Sequence, residues 1–339
     1  MDQEIRFFSS KWNKPLKSIY FGGGTPSILN KEEFKNLFSS INSHLNSDQI
    51  EEVTLECNPE DLNDEKLEFW KQEGVNRLSI GIQSFNDHLL ETINRQHRSS
   101  DAISGVERAR KAGFSNLSMD LIMGLPGSSE EILLNDIEKL LSLDPEHISA
   151  YQLSVEEKTA LAHQVKIGKL NLLEEDEVND QFLLLHKILV GKGYRHYEIS
   201  NYAKPGFEAK HNSSYWSGES YLGIGPGAHS FDGKERRWNI SNNRKYAKEV
   251  VIHGFCYEGE ILSEKDRFNE IIMTSLRHEK GLDLNALKRH YPALFSEEIE
   301  ELGLLWTSKG WASMSNKVLK LSIEGWLISD SLASELFVL

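Results

Sequence analysis

The sequence predicts an α/β protein, in which a barrel-like, mostly parallel sheet wrapped by helices is followed by a small C-terminal α+β module of winged-helix type. Three observations predict it. Short apolar runs alternate with longer amphipathic ones from Ser18 to about Gly193. Gly, Pro, Asn, Gln and Asp gather just after the apolar runs. The texture then changes twice, to dense glycine and aromatics from Tyr194 to Trp238 and back to helical periodicity from about Asp266.

Residues 18–22, 52–57, 77–81, 116–122 and 147–153 have the length and residue type of strands. Residues 31–45, 63–73, 101–112, 129–143 and 176–193 read as the helices between and after them. Such β-α-β-α order demands parallel strands with right-handed crossovers. Special residues follow nearly every strand, at 22–26, 56–59, 83–85, 120 and 124–126. A barrel brings all those ends to one mouth, whereas an open sheet favours a single switch point. The barrel is therefore preferred. Residues 194–238 read as the end of the sheet plus long functional loops. Residues 266–277, 285–290, 297–303 and 323–337 read as helices and 317–322 as a strand. A domain division into 1–240 and 241–339 is expected.

The bulk numbers exclude several classes. The chain has 339 residues, 39% of them hydrophobic, enough for a large core without disulfides. Its net charge of -14 repels phosphate backbones, so nucleic-acid binding is not expected. No apolar run reaches the roughly 18 residues of a membrane span. The first ten residues hold no apolar core of signal-peptide length. Two distant cysteines, Cys57 and Cys256, make neither a disulfide framework nor a zinc cluster. A cytoplasmic protein is expected.

The strand ends carry the candidate chemistry. Gly22-Gly23-Gly24-Thr25-Pro26-Ser27 allows a sharp turn and close ligand approach, though a plain tight turn would need the same residues. It is not a Walker loop, because no Gly-Lys-Ser/Thr follows. Glu56 in LECNP suits a ribose or an ammonium group, or a turn. Gln83 in GIQSF can donate and accept. Arg95, a helix length on, suits a carboxylate or else sits on a helix surface. Asp120 lies inside an apolar strand, where an acid needs either a salt bridge or a ligand. His211 in HNSSYW and His229 in GIGPGAHS lie near aromatics and could ligate the iron of a planar macrocycle, His211 the first choice and His229 the alternate. The alternative is a loop pinned by buried Tyr and Trp.

Taken together, GGGTPS, LECNP, RLSIGIQSF, NRQH, MDLIMGLPG, YQL, YEISNYAKPG, HNSSYW and GIGPGAHS resemble the radical S-adenosylmethionine (SAM) group that contains oxygen-independent coproporphyrinogen III oxidase and HemW. The motifs occur in family order from Ser18 to the C-terminus. The resemblance implies an incomplete TIM-like barrel. It implies SAM contacts from Gly23, Gly24, Thr25, Glu56, Gln83, Arg95 and Asp120. The HNxxYW element resembles the HemW branch, which implies haem as ligand and haem-accepting proteins as partners. The alternative is the oxidase, which abstracts hydrogen from propionate side chains before decarboxylation. The family also carries a Cys-x-x-x-Cys-x-x-Cys segment whose three thiolates hold a 4Fe–4S cluster. No cysteine precedes Gly22 here, so a 4Fe–4S cluster is expected only in a complete, longer chain.

Overall fold

The computed structural model describes residues 1–339. The chain opens with helix α1 (Asp2–Ser9). Strands and helices then alternate: β1 (Ser18–Phe21), α2 (Lys31–His44), β2 (Glu52–Cys57), α3 (Asp64–Gln72), β3 (Arg77–Gln83), α4 (Asp87–Thr92), α5 (Ser99–Lys111), β4 (Leu117–Met123), α6 (Glu130–Ser142) and β5 (His147–Gln152). Next come α7 (Ala160–Lys166), α8 (Glu175–Gly191), β6 (Arg195–Glu198) and β7 (Asn201–Ala203). A middle stretch holds α9 (Lys210–Trp216), β8 (His229–Phe231), β9 (Glu235–Asn239), α10 (Asn243–His253) and β10 (Tyr257–Ile261). The C-terminal stretch holds α11 (Glu264–Leu276), β11 (Leu282–Asp283), α12 (Leu284–His290), α13 (Glu298–Ser308), β12 (Ala312–Ser315), β13 (Val318–Leu321), α14 (Ile323–Leu327) and α15 (Ser329–Glu335).

Two compact units result. One comprises residues 14–196 and 200–209, the other residues 1–13, 197–199 and 210–339. The first unit holds most of a sheet of order β1-β2-β3-β4-β5-β7-β6 together with its helices. Its first four pairings are parallel, and β5 meets β7 antiparallel. This is the expected incomplete barrel.

Alternation along the strands decides where its core sits. Phe21, Leu55, Leu78, Ile80, Leu117, Met119 and Ile148 face the helices and join Phe34, Trp70, Val106, Ile137 and Leu185 in one apolar cluster. The intervening residues, among them Thr54, Arg77, Ser79, Ser118, His147 and Ser149, are also buried but polar. They form the inner face. Helix starts are fixed locally. Asn30 makes a capping box with Glu33 on α2, and the Asn63 and Ser129 side chains accept from backbone amides at the starts of α3 and α6.

The second unit holds two three-stranded sheets, of order β10-β9-β8 and β11-β13-β12. The latter packs with Phe268, Ile272, Ile299, Trp306, Leu319 and Leu332 around a common core, giving the expected winged-helix-like module. The sequence reading found one strand there. The hairpin of β12 and β13 turns at Asn316 and Lys317, both at positive φ, a conformation that a propensity reading does not signal. The single helix expected over 323–337 is two helices, because Ile328 at φ -118° breaks the helical path. The stretch 194–238, expected as the end of the sheet plus loops, does contain the last two strands of the first sheet, and where loops were expected it also forms α9, β8 and most of β9. The expected HNSSYW loop is helix α9, and none of its residues is buried.

One contact anchors the segment after β3. Asp136 on α6 accepts from Ser84 Oγ at 2.5 Å and from Phe85 N at 2.9 Å. Burial raises its carboxyl above the usual range, and both donors oppose that rise. Asp136→Ala is expected to lower stability by about 1–3 kcal/mol, because it leaves a buried amide without an acceptor. Urea unfolding of the two chains checks this.

Candidate functional site

At the end of β1 the chain turns through Gly22–Thr25. A Cβ on Gly22 would lie 2.4 Å from Tyr20 Cε1 and 2.6 Å from Glu56 Oε1. Glycine there lets the Glu56 side chain occupy the neck of the turn. Its Oε1 accepts from Tyr20 Oη at 2.7 Å and its Oε2 from Gly23 N at 3.2 Å. Burial and the adjacent Glu56 charge push the Tyr20 hydroxyl up, so Tyr20 remains a donor. Gly23 has φ +76°, which favours glycine. Neither Gly23 nor Gly24 has any atom within 4 Å of where a Cβ would sit, so this side of the turn is open. Thr25 is exposed beside them.

Asp120 projects from the inner face of β4. Ser79 Oγ lies 3.4 Å from both its carboxylate oxygens, and Ser149 also donates to it. Burial pushes its carboxyl up to about 6, Glu56 adds to the rise, and Ser149, Arg77 and Ser79 oppose it.

Gln83 has φ +67°, an uncommon conformation for a residue with a side chain, and β3 shifts register between Ile80 and Gln83. Its amide folds back over Gly81, where a Cβ would lie 2.9 Å from Gln83 Nε2 and 3.9 Å from both terminal nitrogens of Arg95. Gly81, Gln83 and Arg95 therefore form one group. Arg95 lies in the loop between α4 and α5 rather than on a helix, because α4 ends at Thr92 and Asn94 takes positive φ. Its guanidinium donates to Asn58 Oδ1 at 3.1 Å. The buried His97 holds the same loop by its Nε2 contact with Ile82 O at 3.1 Å. A cavity of about 310 Å³ opens beside Gly124, Gln152, Leu153 and Val178, at the ends of β4 and β5 and the start of α8.

The structure thus brings Gly23 together with Glu56, places Asp120 in Glu56's field, and groups Gln83 with Arg95. Acceptors for an ammonium group, a guanidinium for a carboxylate and an open backbone turn fit SAM. Sequence reasoning missed Tyr20, Arg77, Ser79 and His97. Three of them lie at alternate positions of β1 and β3, and that period-two pattern was the available signal.

The two thiols do not fit an iron–sulfur cluster. Both are buried, and they belong to different units. Cys57 Sγ lies 3.6 Å from Ser79 O, and burial pushes the thiol well up, away from the thiolate that a cluster needs.

His211 and His229 lie in the second unit. His211 Nε2 is 3.1 Å from Tyr215 Oη. The Tyr215 ring meets Tyr221 edge-on at 4.6 Å, and Tyr221 lies 6.2 Å from Phe231. His229 is exposed at the start of β8, 6.4 Å from the Trp238 ring. The loop before it is held from α1: the buried Glu4 accepts from Gly225 N at 2.9 Å, from Asn239 Nδ2 at 2.6 Å and from Tyr246 Oη. Partly exposed imidazoles among aromatic faces fit a haem.

Residues 2–140 match the radical SAM superfamily. The heme chaperone HemW of Lactococcus lactis subsp. lactis (strain IL1403) is 37% identical over 336 residues, covering 96% of this chain and 88% of the relative. The heme chaperone HemW of Bacillus subtilis (strain 168) is 37% identical over 338 residues, covering 97% and 88%. Among solved structures, coproporphyrinogen III oxidase (HemN) from Escherichia coli superimposes with a TM-score of 0.85 at 22% identity, covering 99% of this chain and 81% of that one. At that identity the likeness is one of fold.

Gly22→Ala is expected to force the Tyr20 and Glu56 side chains apart and to lower stability by about 1–3 kcal/mol, the usual effect of overpacking. Thermal unfolding beside Gly24→Ala, whose Cβ would meet nothing, checks it.

Proposed function

The chain belongs to the radical SAM superfamily and, within it, to the group of the heme chaperone HemW, and from that premise we propose that it binds haem and passes it to haem-accepting proteins, with SAM held at the barrel mouth. The observation that carries the SAM part is the grouping at the strand ends. The open turn at Gly23, Gly24 and Thr25 takes the amino group, together with the Asp120 carboxylate. Glu56, already oriented by Tyr20, takes ribose hydroxyls. Arg95 takes the carboxylate as a bidentate donor, and Gln83 contacts the ribose or the base.

SAM bound beside a 4Fe–4S cluster supplies reductive cleavage to an organic radical. The cysteines of this chain do not fit such a cluster, so the roles proposed for its residues are those of binding and orientation. The haem part rests on the HemW relationship and on the ring series His211, Tyr215, Tyr221 and Phe231. His211 is the residue that would hold the haem iron, with His229 the alternate. Ligation through His211 Nε2 would displace the Tyr215 hydroxyl, leaving it free to donate elsewhere. The oxidase reading has the support of fold alone. Two free, buried thiols suit a reducing compartment such as the cytoplasm. No helix is long and apolar enough to cross a membrane.

Two measurements test this. Haemin titration followed by absorption should give stoichiometric binding with a histidine-type spectrum, lost in His211→Ala. An unchanged spectrum in that variant transfers the assignment to His229, and no binding by the folded chain removes the haem reading. SAM affinity, read by calorimetry, should fall as pH drops through about 6, because protonating Asp120 removes the charge that attracts the ammonium. The loss should approach about tenfold one unit below that midpoint. Asp120→Asn should bind weakly and show no such step.

A further inference from the structure

Among the inner-face residues that the SAM reading does not use is a buried cation. Arg77 begins β3 and is only 1% exposed. Strand register places it in a row with Tyr20 and Thr54. The next row toward the mouth holds Glu56, Ser79, Ser118 and His147, and the one after it Asp120 and Ser149. Arg77 therefore lies beneath the two acids proposed for SAM. Its Nε makes no hydrogen bond.

A guanidinium does not deprotonate in proteins, so this is a permanent buried charge. Burying one is costly without compensating charge. The compensating charges lie in the same lumen, and their need is reciprocal. Burial pushes the Asp120 carboxyl up, the neighbouring Glu56 charge adds to that rise, and the Arg77 charge opposes it. A fixed cation built into the wall favours the charged form of Asp120 before any ligand cation arrives.

Resting on the SAM reading of Asp120 and Glu56, we propose that Arg77 is a positioning residue: the lumen's built-in counter-charge, which keeps these two acids ready for a cationic ligand before it arrives. The groups facing Asp120 are Tyr20 from β1, Glu56 from β2, Arg77 and Ser79 from β3, Ser149 from β5, and Arg95 from the loop after α4, while the Cys57 thiol lies on the apolar face of β2. Of these only Arg77 and Arg95 are cations, and Arg95 sits at the mouth, bonded to Asn58. His147 faces Arg77 as well. Burial and the Arg77 charge keep it neutral, so it cannot substitute.

The test reads Asp120 itself. Carboxyl carbon-13 NMR of the aspartate-labelled full chain, with the resonance assigned through Asp120→Asn, should give a midpoint near 6. In Arg77→Met the midpoint should rise by about one unit or more, and Arg77→Lys should restore most of the difference. An unmoved midpoint in Arg77→Met overturns the proposal. Should Arg77→Met fail to fold, the Arg77 Nε nitrogen-15 resonance of the unmodified chain decides. It should titrate at the Asp120 midpoint, and a flat response overturns the proposal equally. A SAM titration on the same samples separates the two readings. Failure of the unmodified chain to bind SAM removes the ligand assignment, while the NMR midpoint still reports on Arg77.

Discussion

Glu56 occupies the space that a side chain at residue 22 would need, and much of the mouth follows from that exchange. A glycine at the end of β1 lets a carboxylate from β2 lie across the neck of the turn, where Tyr20 and the Gly23 amide orient it. Gly81 repeats the arrangement two strands along, making room for the Gln83 amide and the Arg95 guanidinium. In both places a missing Cβ admits a polar group that could not otherwise reach the strand end. Close packing makes such exchanges sharp, since an interior at crystal-like density has no slack to absorb an extra methyl group.

The outer face of the sheet pays for the inner one. Leu55, Leu78, Leu117 and Ile148 are fully buried against helices α2, α3, α5, α6 and α8, and that apolar layer stabilises a sheet whose other side carries Arg77, Ser79, Asp120 and His147. Stability and ligand chemistry are thus separated by the pleat, one residue apart along the same strand. The lumen's hydroxyls and its fixed cation lower the cost of holding carboxylates there. The second unit solves a similar problem at Glu4, a buried acid with three donors that holds the glycine loop leading to His229.

Much of this was legible in the chain. Strand and helix order from Ser18 to Gly193 was readable because parallel crossover units impose a repeated change of period. The strand-end glycines and acids were readable because few other residue types can serve there. The sequence reading offered a helix surface as the alternative for Arg95 and placed HNSSYW in a loop; the structure has Arg95 in a loop and HNSSYW in a helix. α4 is too short to reach Arg95. α9 forms in a segment of poor helix formers, where Tyr215 one turn on meets His211 and Ser214 Oγ bonds the His211 carbonyl. Such local side-chain contacts are not visible in propensity.

The sequence by itself determined the α/β architecture, the barrel-like order and the identity of the groups at the mouth, because those are written in periodicity and residue type. Only the tertiary structure decided which of them meet. The grouping of Glu56 with Gly23, of Gln83 with Arg95 through Gly81, and the burial of Arg77 beneath Asp120 depend on strand register. Alternation within each strand fixes which residues share a face, but which of them meet across it depends on the pairing of strands that are distant in sequence.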